Sequence, residues 1–217
     1  GGVTLDVHPG SFRNPCAADH APLRTGGSRG SGTPVPLDLE FVHDRAVDAS
    51  VVFEACGGLR WRRAVWGVPG GSATIHALEF AILDGGLARW FSTVSEDAPG
   101  LHPRYRWSAR ALRWGSKLAG RPVPMPQHVP FDDPLPVARW MASELRVGAV
   151  PHLHTFASAA AQLCQAALET GLNLAGARFT MGSEPITAAR LAVVHRTGAD
   201  ALPYYANIDC GPIGYGC

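Results

Sequence analysis

Charge is scarce in this chain. Only 17% of its 217 residues are Asp, Glu, Lys or Arg, and 19 basic against 18 acidic side chains leave a net charge of +1. Without a basic surplus there is no electrostatic footprint for nucleic acid or for an anionic membrane surface. Apolar residues make up 46% of the chain, yet no uninterrupted apolar run approaches the roughly 18–20 residues that a membrane span needs. The N-terminus lacks the basic region and apolar stretch of a secretory signal. Cysteine is also sparse: Cys16, Cys56, Cys164, Cys210 and Cys217 are scattered, odd in number and without the close pairing of a metal site. That usage fits reduced thiols in a cytoplasmic protein, and Cys164, inside an apolar helical pattern, is expected to pack. No Gly-x-Ser-x-Gly elbow follows a strand, which disfavours a serine hydrolase.

What remains is an apolar-rich globular chain with ample material for a core. Residues 1–36 are rich in Gly, Pro, Ser and Arg, show no sustained periodicity, and are expected to be loop. Residues 37–217 read as an α/β core. Gly1 opens without a methionine, and Gly211 to Gly216 reads as a loop with no terminating element; the expectation is a fragment cut at both ends. Leu37 to Phe41 alternates as a short strand or helix entry, and Asp44 to Cys56 carries apolar residues at helical spacing. Arg63 to Val68 then reads as strand, Ser72 to Leu83 as helix, and Ala88 to Val94 as strand, the helix being closed by Gly85-Gly86. This βαβ order predicts a parallel pair with a crossover helix. Gly70 and Gly71 fall at the carboxyl end of the first strand, where they could wall a pocket. His76, on the helix, is either pocket-lining or simply packed.

Residues 102–119 mix arginines with Tyr105, Trp107 and Trp114. That mixture allows base stacking, but helical spacing favours Trp107, Leu112 and Trp114 as apolar anchors with the arginines solvated. Residues 121–130 form a proline-rich connector. A helix from about Leu135 to Leu145 follows, with Asp133 as N-cap and Pro134 at the first position. A second βαβ-like unit places strand over Gly148 to His154, a turn at Thr155-Phe156-Ala157-Ser158, and helix over Ala159 to Thr170. Strand Ala177 to Met181, helix Ile186 to Arg196 and strand Ala201 to Tyr205 complete it. The fold class expected is therefore α/β, a mostly parallel sheet of βαβ units flanked by helices. In such sheets ligands collect outside the carboxyl ends of the strands, and Asp209 falls just past the last one.

Two stretches of the C-terminal third resemble the adenylate-forming enzymes, the acyl-CoA synthetase and ligase superfamily, with phenylacetate-CoA ligase-like members the most similar. Gly182-Ser183-Glu184-Pro185-Ile186 resembles their Gly-Gly/Ala-Glu-Pro-Leu turn, and Tyr205-Ala206-Asn207-Ile208-Asp209 resembles their Tyr-Gly-x-Thr/Ser-Glu motif about twenty residues later. A third stretch, Arg24 to Val35, resembles the superfamily's Ser/Thr-rich and Gly-rich phosphate loop. Thr25, Gly26, Gly27 and Ser28 fit its front half and Gly32, Thr33 and Pro34 its back half, with an interval about two residues too long and with Val35 and Pro36 where a lysine is usual. A loop of this composition can turn backbone N–H groups and hydroxyls toward phosphate oxygens, although such stretches also serve as plain linkers.

The resemblance implies an ATP-dependent carboxylic acid–CoA ligase, in which a small carboxylic acid attacks the α-phosphate of ATP and a thiol, usually that of coenzyme A, then displaces AMP. It implies that Gly182, Ser183, Glu184 and Pro185 form an adenine-binding turn, that Tyr205 flanks the base beside Ala206 and Asn207, and that Asp209 replaces the glutamate that holds Mg²⁺ or the phosphates. Ile208 stands where a hydroxyl is usual. Thr155, Phe156 and Ser158, with Gly70 and Gly71, are implied to shape the acyl pocket, while Phe156 reads equally well as core. The parts that serve adenylation from a C-terminal domain are absent, so this piece alone is expected to be inactive. A non-catalytic nucleotide- or acyl-binding module of the same fold stays open, as does a zinc site using Cys210 and Cys217 with a histidine.

Overall fold

In the computed structural model, residues 34–69, 72–95, 113–208 and 210–216 are described, together with residues 2, 4, 6–8, 11, 14–18 and 20–24. Near the N-terminus, β1 (Ala21–Arg24) pairs antiparallel with β2 (Pro34–Leu37), matching Ala21 with Leu37. The stretch expected to be loop thus contains a two-stranded sheet. Asp38 follows directly and caps α1 (Leu39–Ala55), its carboxylate accepting from the Glu40 N–H at 2.9 Å and the Ala18 N–H at 3.1 Å. The helix begins five residues before the expected Asp44, because the cap sits inside the alternating Leu37–Phe41 stretch. Val42, Ala46, Ala49 and Phe53 form its buried stripe.

The main sheet has seven strands in the order β5-β4-β3-β6-β7-β8-β9. The first βαβ unit is β3 (Arg62–Gly67), α2 (Ser72–Ile82) and β4 (Leu87–Ser92), with β3 and β4 parallel as expected. The helical residues 113–118, α3, come next. Trp114, expected to anchor this region, is 65% exposed, and residues 101–112, which include Trp107 and Leu112, lie outside the described residues. The proline-rich connector holds a short strand, β5 (Pro126–His128), parallel to β4. Helix α4 (Leu135–Arg146) has Pro134 rather than Asp133 at its N-cap, with no side-chain hydrogen bond there.

The second unit runs β6 (Pro151–Phe156), α5 (Ala157–Glu169), β7 (Arg178–Gly182), α6 (Ala188–Arg196) and β8 (Asp200–Asn207). Thr155 and Phe156, expected in a turn, finish the strand. β6 pairs parallel with β3 and with β7, and β7 with β8. The expected terminal loop is instead β9 (Gly211–Tyr215), antiparallel to β8. The sheet is mostly parallel, as the alternation of strands and helices implies.

Helices cover both faces. One core layer packs Trp66, Leu153, Phe179 and Met181 of the sheet against Val137, Met141, Leu163 and Cys164. The other packs Val65 and Trp90 against Ala46, Phe53, Ala77 and Phe80 of α1 and α2. Cys164 is fully buried, as its place in an apolar pattern predicts. Among the described residues no helix is long and apolar enough to cross a membrane.

Candidate functional site

The strand order fixes where a ligand can enter. From β3 the chain winds outward through β4 to β5; from β6 it winds the other way through β7 and β8. The two halves diverge between β3 and β6, and at such a switch point the loops leave a crevice at the carboxyl ends of the strands. A small open cleft lies there, lined by Trp66 and Gly67 of β3, Ser72 and Ala73 of α2, and His154, Thr155 and Phe156 of β6, with Ser183 after β7.

Each wall has a physical cause. Thr155 donates from Oγ1 to the Trp66 carbonyl at 2.8 Å, which ties β6 to β3 across the cleft floor. Trp66 itself is fixed by its Nε1–H on the Val129 carbonyl at 2.9 Å. Gly67 accommodates the closeness of α2: a Cβ there would lie 3.2 Å from that of Ala73. Ser183 adopts φ 64°, a left-handed conformation that reverses the chain after β7. Gly182 lets β7 approach β8, since a Cβ would lie 2.9 Å from the Tyr204 carbonyl oxygen. Glu184 folds back to the start of α5, where its carboxylate accepts from the Ser158 N–H and Oγ–H, both at 3.0 Å, and pairs with Arg190 at 3.2 Å. A helix N-terminus leaves N–H groups unsatisfied, and here one is met by the turn's own carboxylate. Arg190 also donates to the Pro185 carbonyl at 2.7 Å.

Behind the cleft lies a buried polar cluster. Glu79 on α2 accepts from Arg45 on α1 and, at 2.7 Å, from His76 Nδ1; Arg45 also donates to the Tyr204 hydroxyl at 3.2 Å. The His76 and His154 rings stack with centroids 3.7 Å apart, and Tyr204 meets both edge-on. Burial by itself would raise the Glu79 pKa, but His76 and Arg45 outweigh it and hold the carboxyl below the usual range. Burial, reinforced by the neighbouring His76, His152 and Arg45, drives the His154 pKa well below 6.5, so the imidazole is neutral. His152, two residues back on the same face, bonds Thr180 Oγ1 through Nε2 at 2.8 Å and sits among Phe53, Trp61 and Phe80.

The structure brings together Thr155, Phe156 and Ser183 on the cleft, with Gly182 and Pro185 in the adjoining turn and Ser158 held to it through Glu184. Tyr205 is 69% exposed beside the buried Tyr204, and Ala206 and Asn207 continue β8. Ile208 packs against Leu37, Val42 and Ile75, which sets the end of β8 beside α2. Thr25, Gly26, Gly27, Ser28, Gly32 and Thr33, like Gly70, Gly71 and Asp209, lie outside the described residues. Cys210 is exposed, Cys217 lies outside the described residues, and among the described residues no three His, Cys, Asp or Glu side chains are placed to hold a metal.

Arg45, Glu79, His154 and Tyr204 are the residues that sequence reasoning missed. Two signals were present: His76 and Glu79 at i, i+3 share a helix face, and His152 and His154 at i, i+2 share a strand face.

No protein-family model matches the chain, and no curated protein does. Among solved structures it is similar to the inhibitor-bound N-terminal domain of FACL13 from Mycobacterium tuberculosis, with 14% identity, a TM-score of 0.52, and coverage of 90% of this chain and 39% of that one. It also aligns with the luciferase-like enzyme of the nonluminescent mealworm Zophobas morio (12% identity, TM-score 0.49, 97% of this chain and 40% of that one). A third alignment is with McyG A-PCP complexed with phenylalanyl-adenylate (14% identity, TM-score 0.49, 90% of this chain and 26% of that one). The chain has the fold of the FACL13 domain and spans less than half the length of each of these proteins.

Proposed function

We propose that this chain is the cleft-forming part of an acid-activating, AMP-forming ligase, in which a small carboxylic acid and ATP meet at the carboxyl ends of β3, β6 and β7. The observation that carries this reading is convergence. Thr155, Phe156 and Ser183, singled out from separate stretches of sequence, line one cleft at the topological switch point, and the fold is shared with the FACL13 domain. In the reaction, an oxygen of the acid attacks the α-phosphorus, the bond to pyrophosphate breaks, and a thiol such as that of coenzyme A later displaces AMP.

The chain's own residues divide the work. Phe156 and Trp66 give the acid an apolar seat, and the first amides of α2 at Ser72 and Ala73 border the cleft with donors suited to an anionic group. The exposed Tyr205 ring at the end of β8 offers a stacking face for the base. Thr25, Gly26, Gly27, Ser28, Gly32 and Thr33 would meet phosphate oxygens. Mg²⁺ would neutralise charge on the phosphates, with Asp209 as the acidic side chain proposed to hold it.

A second reading, a module that binds nucleotide without turning it over, is favoured by one observation: Ile208 packs into the α1–α2 core where the resemblance would have a hydroxyl. Acid-dependent exchange of labelled pyrophosphate into ATP by the full-length protein separates the two. Exchange supports the ligase, ATP binding without exchange supports the module, and the absence of both overturns the proposal. The isolated 217-residue chain is expected to release no pyrophosphate.

A further inference from the structure

The net charge of +1 is an average that conceals one strongly basic stretch. Between Asp97 and Asp132 there is no acidic residue, while Arg104, Arg106, Arg110, Arg113, Lys117 and Arg121 supply six positive charges. The described part of this stretch is α3 and the turn that follows it. There Arg113 and Lys117, at i, i+4, form one exposed row, and Trp114 and Leu118 form the row beside it. Leu118, at 86%, is the most exposed large apolar side chain among the described residues, and Trp114 is 65% exposed.

This exposure does not come from loose attachment. Ser116 Oγ accepts from the Val123 N–H at 3.0 Å, and Val123 is buried in the core layer under α1 and α2. The helix closes at Gly120, φ 72°, with the Arg121 N–H on the Ser116 carbonyl at 2.9 Å. The Arg121 guanidinium then donates to the carbonyl of Ile82, the last residue of α2, at 3.0 Å. Because α2 returns from the carboxyl end of β3 to the amino end of β4, this ledge is clamped at the end of the sheet opposite the cleft.

A fixed ledge of exposed apolar side chains flanked by cations is complementary to an anionic lipid surface. There an indole and a leucine enter the headgroup boundary while Lys and Arg stay at the phosphates. A nucleic acid would meet the cations and stack on Trp114, but it offers Leu118 nothing. A stable protein partner buries about 800 Å² of each surface, more than two side chains provide, whereas a bilayer takes them up singly. We infer that Arg113, Trp114, Lys117, Leu118 and Arg121 form a peripheral contact with an anionic bilayer, which leaves the cleft open at the far end of the sheet whatever it binds.

The test is sedimentation of the chain with vesicles of phosphatidylcholine alone and of equimolar phosphatidylcholine and phosphatidylglycerol. Each Lys or Arg at an anionic surface adds about a factor of five to partitioning, so three should favour the anionic vesicles by about a hundred-fold at low salt. Arg113→Gln with Lys117→Gln should weaken that binding about ten-fold or more. Trp114→Gln with Leu118→Gln should also weaken it about ten-fold or more, through lost apolar burial. Arg139→Gln with Arg196→Gln removes the same charge from exposed positions elsewhere and should change binding by less than about two-fold. All the substituted side chains are exposed, so each variant should melt with the wild type. Equal binding to both vesicle types, binding to neither, binding that survives either α3 variant, or an equal loss in the Arg139 and Arg196 variant overturns the inference. Binding of single-stranded poly(dT) with none to vesicles overturns it in favour of a nucleic acid.

Discussion

Replacing Glu79 by glutamine tests whether the cluster behind the cleft is a set of mutually dependent charges. Glu79 and Arg45 are each only 4% exposed at their side chains, and Glu79 is the carboxylate paired with both Arg45 and His76. Glutamine preserves the volume and one acceptor oxygen but removes the charge, leaving the guanidinium buried against the neutral Tyr204 hydroxyl. Breaking a buried pair by removing one partner costs about 3–5 kcal/mol. For a domain of this size each kcal/mol lowers Tm by about 2–4 °C, so the melting point should fall by about 6–20 °C, with a parallel drop in the urea midpoint. Replacing Arg45 and Glu79 together by methionine removes both charges and should cost less than Glu79→Gln alone, because an apolar pair of similar volume needs no desolvation.

The pH dependence follows from the direction of the shift. Since the folded pKa of Glu79 lies below the ordinary 4.5, its contribution is complete above that value and is lost as pH falls through the folded one. The acid limb of the stability curve should therefore be shallower in Glu79→Gln. A loss under about 1 kcal/mol in Glu79→Gln, or a double variant that costs as much as Glu79→Gln or more, would refute the reasoning that these charges depend on one another.

His152 is buried as a neutral ring, and burial first, then the charges of Arg63 and His76, bring its pKa from 6.5 to about 3. Its folded pKa being depressed, stability should hold above 6.5 and erode as pH falls toward 3; in urea midpoints at pH 7.5, 6 and 5, the gap between wild type and His152→Phe should narrow steadily. Gly182→Ala pushes a methyl to 2.9 Å from the Tyr204 carbonyl and 3.0 Å from its ring, and a backbone oxygen cannot step aside cheaply, so a loss of about 1–3 kcal/mol is expected in thermal melts. The Cys164 thiol is pushed up to about 12 by burial, with the Thr197 hydroxyl pulling weakly the other way. Under native alkylation at pH 8 it should stay unlabelled by peptide mapping while the exposed Cys16, Cys56 and Cys210 react; labelling as fast as that of Cys56 would refute it.

The βαβ units were legible because their signals are local. β3 is buried at five of six positions, and the turn after α2 is marked by Gly85 and Gly86, both at positive φ. What escaped reading is made by partners far away in sequence. Pro126, Gln127 and His128 have no strand character of their own, and they are strand because Trp90, Phe91 and Ser92 pair with them. Gly211 to Tyr215 is composed like a turn, and β9 exists through its pairing with β8, its proline tolerated at the sheet's edge. The site divides in the same way. Thr155 and Phe156 could be named because they stand at the carboxyl end of a strand, whereas the Arg45–Tyr204 contact joins residues 159 apart in the chain, and no spacing rule reaches that far.

Glu184 shows how one residue can belong to a motif and still be spent on the fold. The resemblance places it in an adenine-binding turn, yet its two oxygens are committed to Ser158 and Arg190. By accepting from the Ser158 amide in the first turn of α5 it disfavours a ligand anion at that helix start, because a second negative charge there would meet the carboxylate already in place. The start of α2, which also borders the cleft, has no acidic residue in its first turn. An anionic ligand entering between β3 and β6 should therefore be disfavoured at the start of α5 and better received at the start of α2. On the function proposed above, the side chain that rigidifies the turn would also orient the ligand, with its charge toward Ser72 and away from Ser158.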